Sequence, residues 1–414
     1  MNSGLDAIAV VAPNDIWAGG RYWQEGQIDG HTLLEHWDGT QWTLVDTPDV
    51  GGIDDIFVAA PNDIWALGFA FKPNTQYLLH WDGSTWQKVP LDIYALALGG
   101  TSGTDIWALG SPSMIRHWDG ASWSPVPGPD PSSIAESISD VKAFTPNDAW
   151  AVGHWYFNVT SHGGIILHWD GTAWTYTYRG SGGSLLSVAG TSGKDVWIGG
   201  STQYAHGRLY HWDGQQWRVS RGPQPLRGTV AYTGLAALAT DDVWTVGGVQ
   251  TYPIGQYYAL LGHWDGKRWS SVPTPTLSES HNWLAAVAVV NAEDVWAVGA
   301  QGEIDAEQTL IMHATRPCYL PPAPKLQQPQ NNASILFSPL QLVWKQSATA
   351  THYEIQMRRD STTGPFILRA KTKQRKYLVA ERFEDGQYFW RVRGCNGGGC
   401  GAWSAYYSFH VHSP

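Results

Sequence analysis

The chain has 414 residues, of which 25 are tryptophan and 3 are cysteine, and its formal net charge is −10. Residues 1–317 carry 14 Lys and Arg against 31 Asp and Glu, a net charge of −17, whereas residues 318–414 carry 12 against 5, a net charge of +7. The acidic first region lacks the basic footprint that a nucleic-acid partner needs, and no apolar run reaches the ~18 residues of a membrane-spanning helix.

A repeated motif organises residues 1–314. Asp-x-Trp occurs seven times at spacings of 42 to 52 residues, a period typical of folds built from repeated supersecondary units. The copies begin at Asp15, Asp63, Asp105, Asp148, Asp195, Asp242 and Asp294. Six copies are followed by His-Trp-Asp-Gly-x-x-Trp, which begins at His36, His80, His117, His168, His211 and His263.

Each repeat predicts four β-strands. An apolar, β-branched run opens the unit and suits a buried strand, and the Asp-x-Trp segment follows after a polar turn. A third strand such as residues 78–81 leads into Asp82-Gly83, a pair typical of tight hairpin turns, and residues 86–89 then form the fourth strand. Seven such units predict an all-β fold, a seven-bladed β-propeller over residues 1–314.

The pattern ends at residues 315–324, where four prolines in ten residues predict a stiff linker. Residues 325–414 contain short alternating strands that predict a C-terminal β-sandwich. Cys395 and Cys400 flank a glycine-rich turn between two of these strands. We expect a disulfide there, and therefore a secreted or cell-surface protein, the alternative being two free thiols. Cys318 has no obvious partner.

The motifs resemble those of known families. The Asp-Gly-x-x-Trp turn is similar to the Asp-box (BNR) repeat of sialidases, and the whole repeat resembles secreted bacterial BNR-like propellers and photosystem II assembly factors. This resemblance implies the fold but no particular activity, because propellers host many unrelated functions. Trp344, Tyr353 and residues 386–393 (Gly-Gln-Tyr-Phe-Trp-Arg-Val-Arg) resemble a fibronectin type III domain, which implies a spacer or adhesion module.

Three tryptophans, Trp23, Trp155 and Trp283, belong neither to the repeats nor to the sandwich. Trp23 and Trp155 follow second strands and Trp283 precedes a first strand, so we expect all three in loops at one end of the propeller, opposite the Asp-Gly turns. Aromatic rings beside polar groups suit sugar binding. The predicted ligand-binding residues are Arg21, Tyr22, Trp23, His154, Trp155, Tyr156, His281, Asn282 and Trp283.

These features predict a non-catalytic extracellular binding or adhesion module whose ligand is a glycan. Two alternatives fit the same residues: a protein interface, which has a similar composition, and loops that pack on each other over the central channel. The histidine of His-Trp-Asp recurs in every blade, His313 included, so we expect it to pack within its blade rather than bind a metal. No cofactor is expected.

No catalytic set stands out. Sialidases need an arginine cluster, a tyrosine nucleophile and an acid/base aspartate, and the chain lacks their Arg-Ile-Pro segment. A glycoside hydrolase, the less favoured alternative, needs two carboxylates at one cleft. Six acidic residues are expected at the same end of the propeller as the three tryptophans, and no two of them form an evident pair. They are Glu25, Asp29, Glu136, Asp140, Glu279 and Glu303.

Blade seven has no Asp-Gly-x-x-Trp after His313, so we expect it to lack a fourth strand of its own. Its third strand would then be an open edge, which proteins cover or pair. We expect that the linker or the sandwich covers this edge, or that a neighbouring chain donates a strand. Strand donation would make the protein a structural subunit of a surface or extracellular assembly.

Overall fold

The computed structural model describes residues 2–412. It leaves out residues 25–29, 69–75, 130–134, 159–160, 203–206, 224–227, 251–256, 275–280, 304–305, 316–320, 337–339, 348–349, 380–382 and 397–398. The chain divides into two compact units, Met1–Ala314 and Thr315–Pro414. None of the described residues forms a helix with the length and apolarity needed to cross a membrane.

The first unit is the predicted seven-bladed β-propeller. Each blade is an antiparallel sheet whose strands are paired in chain order. Blades 1 and 2 comprise β1 (Asn2–Ala12), β2 (Asp15–Trp23), β3 (His31–Trp37), β4 (Trp42–Leu44), β5 (Ile53–Ala60), β6 (Asp63–Gly68), β7 (Gln76–Trp81) and β8 (Trp86–Leu91). Blades 3 and 4 comprise β9 (Ala97–Ser102), β10 (Asp105–Ser111), β11 (Met114–Trp118), β12 (Trp123–Pro125), β13 (Ala135–Thr145), β14 (Asp148–Asn158), β15 (Ser161–Trp169) and β16 (Trp174–Ser181).

The remaining blades follow the same order. Blades 5 and 6 comprise β17 (Gly183–Ser192), β18 (Asp195–Thr202), β19 (Gly207–Trp212), β20 (Trp217–Ser220), β21 (Thr229–Ala239), β22 (Asp242–Gln250), β23 (Tyr257–Trp264) and β24 (Trp269–Val272). Blade 7 comprises β25 (His281–Asn291), β26 (Asp294–Gly302) and β27 (Gln308–Thr315). The first strand of every blade lies innermost and lines a central channel. Leu5 and Ala18 of blade 1 share an apolar cluster with Val298 of blade 7, so packing closes the ring.

Blade 7 has three strands within the described residues. Residues 2–4 do not supply a fourth strand, because they extend β1 and pair with β2, with Asn2 opposite Trp23. Trp244 of blade 6 is only 1% exposed, although blade 7 lacks the tryptophan pair of the other blades. Residues 316–320 lie outside the described part of the chain, so strand donation at this edge stays a prediction.

One set of contacts recurs in every blade. The aspartate of Asp-x-Trp accepts a hydrogen bond from Nε2 of the third-strand histidine, at 2.6–2.9 Å in all seven blades. The same histidine ring packs on the tryptophan of Asp-x-Trp, with ring centroids 3.8–4.6 Å apart. The repeated histidine therefore joins the second and third strands of its own blade.

The tryptophan of Asp-x-Trp also joins neighbouring blades. Trp150 of blade 4 contacts Trp212 and Trp217 of blade 5, with ring centroids 5.7 and 5.5 Å apart. Equivalent contacts join blades 1 and 2, 2 and 3, 3 and 4, 5 and 6, and 7 and 1. The repeat tryptophans are therefore the core between blades, which explains most of the tryptophan content.

The Asp-Gly turns are held by their own aspartates. The Thr172 hydroxyl and the backbone N–H groups of Ala173 and Thr172 donate to the Asp170 carboxylate at 2.6–2.9 Å and lower its pKa to about 2. The glycine that follows each of the six turn aspartates has a φ between +83° and +96°, a conformation that glycine adopts without a steric penalty.

The second unit is a β-sandwich. Its strands are β28 (Leu326–Gln328), β29 (Ala333–Leu336), β30 (Leu340–Trp344), β31 (His352–Arg359), β32 (Phe366–Thr372), β33 (Lys376–Val379), β34 (Gly386–Asn396), β35 (Gly399–Cys400) and β36 (Tyr407–His412). One sheet has the order β28-β30-β33, and the other has the order β29-β36-β34-β31-β32, with β35 beside β34. Trp344 and Trp390 are buried in the core. The Tyr388 hydroxyl donates to the carbonyl of Glu384 at 2.9 Å, as in the tyrosine corner of immunoglobulin-like sandwiches.

The β34–β35 hairpin carries a disulfide bond. Cys395 and Cys400 lie opposite each other in its register, and their sulfur atoms are bonded. Cys318 lies within residues 316–320, outside the described part of the chain.

The packing between blades predicts that replacing one repeat tryptophan with alanine strongly lowers stability. We expect Trp150→Ala to lower the free energy of unfolding of the propeller by about 3–5 kcal/mol, because it leaves a cavity between blades 4 and 5. Trp150 is 4% exposed, whereas Leu44 is 75% exposed, so Leu44→Ala should change stability by less than about 0.5 kcal/mol. Chemical denaturation followed by circular dichroism measures both. Equal stability of the two variants would contradict this role of Trp150.

Candidate functional site at the upper face of the propeller

The two ends of the propeller differ in their connections. The Asp-Gly turns lie at the lower face, and the connections from second to third strands and between blades lie at the upper face. Trp23, Trp155 and Trp283 lie toward the upper face, but on β2, β14 and β25 rather than in loops. The loop prediction was wrong because strand pairing continues past the repeat, so that Trp155 pairs with Glu136 and Gly163.

Trp155 is held within blade 4. Its indole N–H donates to the carbonyl oxygen of Gly180 at 2.9 Å, and the Arg179 guanidinium lies 5.9 Å from the centroid of its ring. The side chain is half-buried, whereas the neighbouring Tyr156 and Phe157 are exposed. The aromatic surface that blade 4 offers to a ligand therefore comes mainly from Tyr156 and Phe157.

The blade 7 residues alternate along β25. Asn282 is 5% exposed, so the prediction that it contacts a ligand is corrected: its side chain points into the protein. His281 and Trp283 on the other side of the strand are half-buried. The backbone N–H of Tyr257 donates to Nδ1 of His281 at 3.3 Å, and Trp283 packs beside Gly248 of blade 6. These residues therefore join blade 7 to blade 6.

The predicted ligand-binding residues of blade 1 also contact other residues of the propeller. The guanidinium of Arg21 donates through Nε to Asp6 at 3.1 Å and through Nη2 to Asp54 of blade 2. Tyr22 stacks on His31 with ring centroids 5.2 Å apart. Arg21 was predicted as a ligand-binding residue from its neighbours in the sequence, and the structure shows that it bridges two carboxylates of adjacent blades.

The predicted residues form separate groups around the ring. Trp23 and Trp283 belong to adjacent blades, 1 and 7, whereas Trp155 in blade 4 lies across the channel from them. His154 beside Trp155 is half-buried, and burial together with the nearby His162 lowers the pKa of its imidazole. The upper face therefore carries several separate aromatic groups rather than one pocket.

The channel contains acidic residues that sequence reasoning did not bring together. It encloses a cavity of about 320 Å³. Within the described residues, its titratable lining comprises Asp6, Asp54, Asp55, Asp140 and Lys142. The available signal was an acidic residue within a predicted first strand, which a propeller places on the channel wall.

Two of these aspartates connect blades. Asp55 accepts a hydrogen bond from the backbone N–H of Leu98 in blade 3 at 2.8 Å, and Asp140 accepts one from Val188 in blade 5 at 2.7 Å. Each aspartate follows a β-bulge in its first strand. Burial raises the pKa of Asp55 to about 7 and that of Asp140 to about 6. Both carboxyl groups are therefore structural acceptors at the junctions between blades.

Asp54 lies where blades 1 to 3 meet. Burial raises its pKa to about 6 against the opposing effect of Arg21, and the charge of Asp6 raises it further. Tyr94, an exposed residue in the segment before β9, lies nearby. Burial and then the charge of Asp54 raise the pKa of its phenol. Tyr94, Asp54 and Arg21 thus form an aromatic, acidic part of the channel mouth.

Five of the six exposed aromatic side chains of the described propeller lie toward the upper face, and Tyr178 lies midway along the outer strand β16. The exposed fractions of the six range from 37% to 66%. The six are Tyr94, Tyr156, Phe157, Tyr178, Tyr257 and Tyr258. These exposed side chains lie outside the core and are therefore candidates for contact with a ligand.

The candidate acids for hydrolysis do not form a pair among the described residues. The Glu136 carboxylate accepts hydrogen bonds from Arg179 at 2.8 Å and from the Tyr176 hydroxyl. Asp140 is hydrogen-bonded to blade 5. Glu303 is exposed in the connection after β26. Glu25, Asp29 and Glu279 lie outside the described part of the chain.

The architecture places the chain in the class of seven-bladed β-propellers, here followed by a β-sandwich. No model of a known family matches the sequence, and no curated protein matches it. Among solved structures, the chain is similar to YCF48 from Cyanidioschyzon merolae, with a TM-score of 0.49, 16% identity, and coverage of 72% of this chain and 94% of that one. It is also similar to YCF48 bound to a D1 peptide, with a TM-score of 0.50, 16% identity, and coverage of 76% and 92%. The second similarity supports the propeller fold.

The raised carboxyl pKa values predict a pH dependence of stability. Asp54, Asp55 and Asp140 have pKa values of about 6, 7 and 6 in the folded chain, above the ordinary 3.8. The folded state therefore binds more protons than the unfolded state between about pH 4 and 7, and stability falls as pH rises through this window. We expect the Tm of the propeller to fall by on the order of 5 °C from pH 5 to pH 8.

Calorimetry of two variants tests the assignment. Asp55→Asn should reduce the fall in Tm between pH 5 and 8, because the amide does not ionise. Asp170→Asn is the control: the pKa of Asp170 is about 2, so its contribution is lost only as pH falls below about 4. An unchanged pH profile in Asp55→Asn would contradict the raised pKa.

Proposed function

We propose that the chain is a non-catalytic binding protein whose upper propeller face binds an extended segment of a partner protein. The observation that carries this proposal is the location of five of the six exposed aromatic side chains of the described propeller toward its upper face. Large aromatic rings are typical anchors of protein interfaces, because they provide contact area with few rotatable bonds.

The charges favour a cationic segment. The carboxyl groups of Asp6 and Asp54 line the channel cavity and share the guanidinium of Arg21, whereas those of Asp55 and Asp140 accept hydrogen bonds from neighbouring blades. The propeller region as a whole carries 31 acidic against 14 basic residues. A Lys or Arg side chain on the partner would complement this field, which a neutral glycan would not.

The arrangement around the ring favours an extended ligand. Tyr94 lies in the part formed by blades 1 to 3, Tyr156 and Phe157 lie in blade 4, and Tyr257 and Tyr258 lie in blade 6. A small ligand would contact one group, whereas an extended chain that crosses the channel mouth can contact several. The solved complex of YCF48 with a D1 peptide supports the propeller as an architecture that accepts peptides.

Glycan binding is the second candidate. It is favoured by Tyr257 and Tyr258, which are exposed beside His281 and could stack on a sugar while the imidazole bonds a hydroxyl. The half-buried tryptophans favour it less, since the indole N–H of Trp155 is already bonded to Gly180.

Three further inferences accompany this proposal. The aspartate-capped Asp-Gly turns support an Asp-box (BNR) repeat, and the Tyr388 corner supports a fibronectin type III sandwich. The Cys395–Cys400 disulfide supports a secreted or cell-surface location, because disulfides persist in oxidising compartments.

A peptide-display selection against the full chain tests the partner class. We expect peptides that pair aromatic or apolar residues with Lys or Arg, and we expect Tyr156→Ala/Phe157→Ala to weaken their binding at least about tenfold. Leu238→Ala is the control, because Leu238 is exposed near the lower face; it should bind as the unaltered chain does.

A glycan array with the same proteins tests the second candidate. A glycan that binds the unaltered chain but not Tyr257→Ala/Tyr258→Ala, together with no enriched peptide, would overturn the protein-partner proposal and favour the glycan. Peptides that bind the double variant Tyr156→Ala/Phe157→Ala undiminished would contradict the role of blade 4.

The non-catalytic assignment predicts no turnover of oligosaccharides. Glu136 is neutralised by Arg179 and Asp140 is bonded to the backbone of blade 5, so neither is available as an acid or base. Chromatography of a panel of oligosaccharides after prolonged incubation should show no product. Product formation that Asp54→Asn or Glu303→Gln abolishes would show that the chain is an enzyme.

A further inference from the structure

A cluster of metal-ligating side chains lies in the β-sandwich. Asp385, His410 and His412 each offer one ligand atom, and the three atoms lie within 4.8 Å of one another. We propose that these three residues form a binding site for Zn²⁺. The proposal concerns the second unit of the chain and does not rest on the function proposed for the propeller.

The pairing of β34 with β36 brings the three residues together. His410 and His412 alternate along β36 and therefore project from the same side of the strand, with ring centroids 4.4 Å apart. Gly386 pairs with Val411, between the two histidines. Asp385, which immediately precedes Gly386, consequently lies beside them. The 24 residues between Asp385 and His410 in the sequence explain why the sequence alone gave no sign of this site.

A second observation points to a ligand. Nδ1 of His410 is shielded from solvent and has no hydrogen-bond partner among the described residues. A buried polar atom without a partner is costly, and this atom is the only histidine nitrogen in that state among the described residues. A bound cation would give this imidazole the partner that the described side chains do not provide.

The donor set and the local charge suit Zn²⁺. Two imidazoles and one carboxylate are ligands that Zn²⁺ accepts in tetrahedral sites, with the fourth position left to water. The nearby cation Arg359 is paired with Glu384 and with Asp360. Because these carboxylates offset the charge of Arg359, a dication at Asp385 meets little net repulsion, although the sandwich region is basic overall.

Binding would stabilise the sandwich. The ion would join the segment that precedes β34 to β36, and a ligand that binds only the folded state raises its stability in proportion to the logarithm of ligand concentration. Zinc chloride should therefore raise the Tm of the sandwich transition in the full chain.

Isothermal titration calorimetry of the full chain with zinc chloride, after removal of metals by a chelator, tests the site. We expect His412→Ala and Asp385→Asn each to weaken Zn²⁺ binding at least about 100-fold, since even outer partners of metal ligands contribute 10–100-fold. Both side chains are exposed, so both variants should keep the fold, which circular dichroism checks. His352→Ala is the control, because His352 lies on β31 outside the cluster and should leave affinity unchanged.

The test compares Zn²⁺ binding among these proteins, because the propeller contains other histidines that could also contact Zn²⁺. Loss of one Zn²⁺ per chain and of the Tm increase in His412→Ala and Asp385→Asn, but not in His352→Ala, would support the site. Zn²⁺ binding that is equal in all four proteins, or absent from the unaltered chain, would overturn it.

Discussion

A single blade of this propeller cannot bury its own central tryptophan. In six of the seven blades the indole of Asp-x-Trp has the histidine of its own blade on one side and two tryptophans of the next blade on the other, as Trp150 does with Trp212 and Trp217. Each unit is therefore stabilised by its neighbour, and the ring has to close for every unit to be covered. The packing of blade 7 on blade 1 meets this condition, since Trp296 contacts Trp37 and Trp42.

This constraint separates a scaffold, which is built from the repeated residues, from a surface whose residues differ between blades. The Asp-Gly turns of the lower face and most contacts between blades are formed by repeated residues. The upper face differs from blade to blade, both in its exposed aromatics and in the acids of the channel. The proposed recognition surface therefore lies where the repeat pattern stops, as is usual for sites on loops and strand ends above a rigid framework.

The sequence was sufficient for features that depend on local pattern. The period of Asp-x-Trp predicted the blades, and Asp-Gly predicted the turns that Asp170 and its equivalents now cap. It was insufficient where strands pair beyond the repeat or where distant residues meet. Strand extension buried Asn282, and the bulges that aim Asp55 and Asp140 at the next blade depend on interblade geometry. The grouping of Asp385 with His410 likewise arises only from strand pairing.

The carboxyl group of Asp54 has a further consequence for binding. Its pKa of about 6 means that part of the population carries a proton in mildly acidic solution, and a cationic group placed beside it favours the ionised form. Binding of a cation at the channel mouth would then expel a fraction of a proton. By linkage, affinity and proton release become two measures of one equilibrium, so the binding enthalpy would depend on the ionisation enthalpy of the buffer.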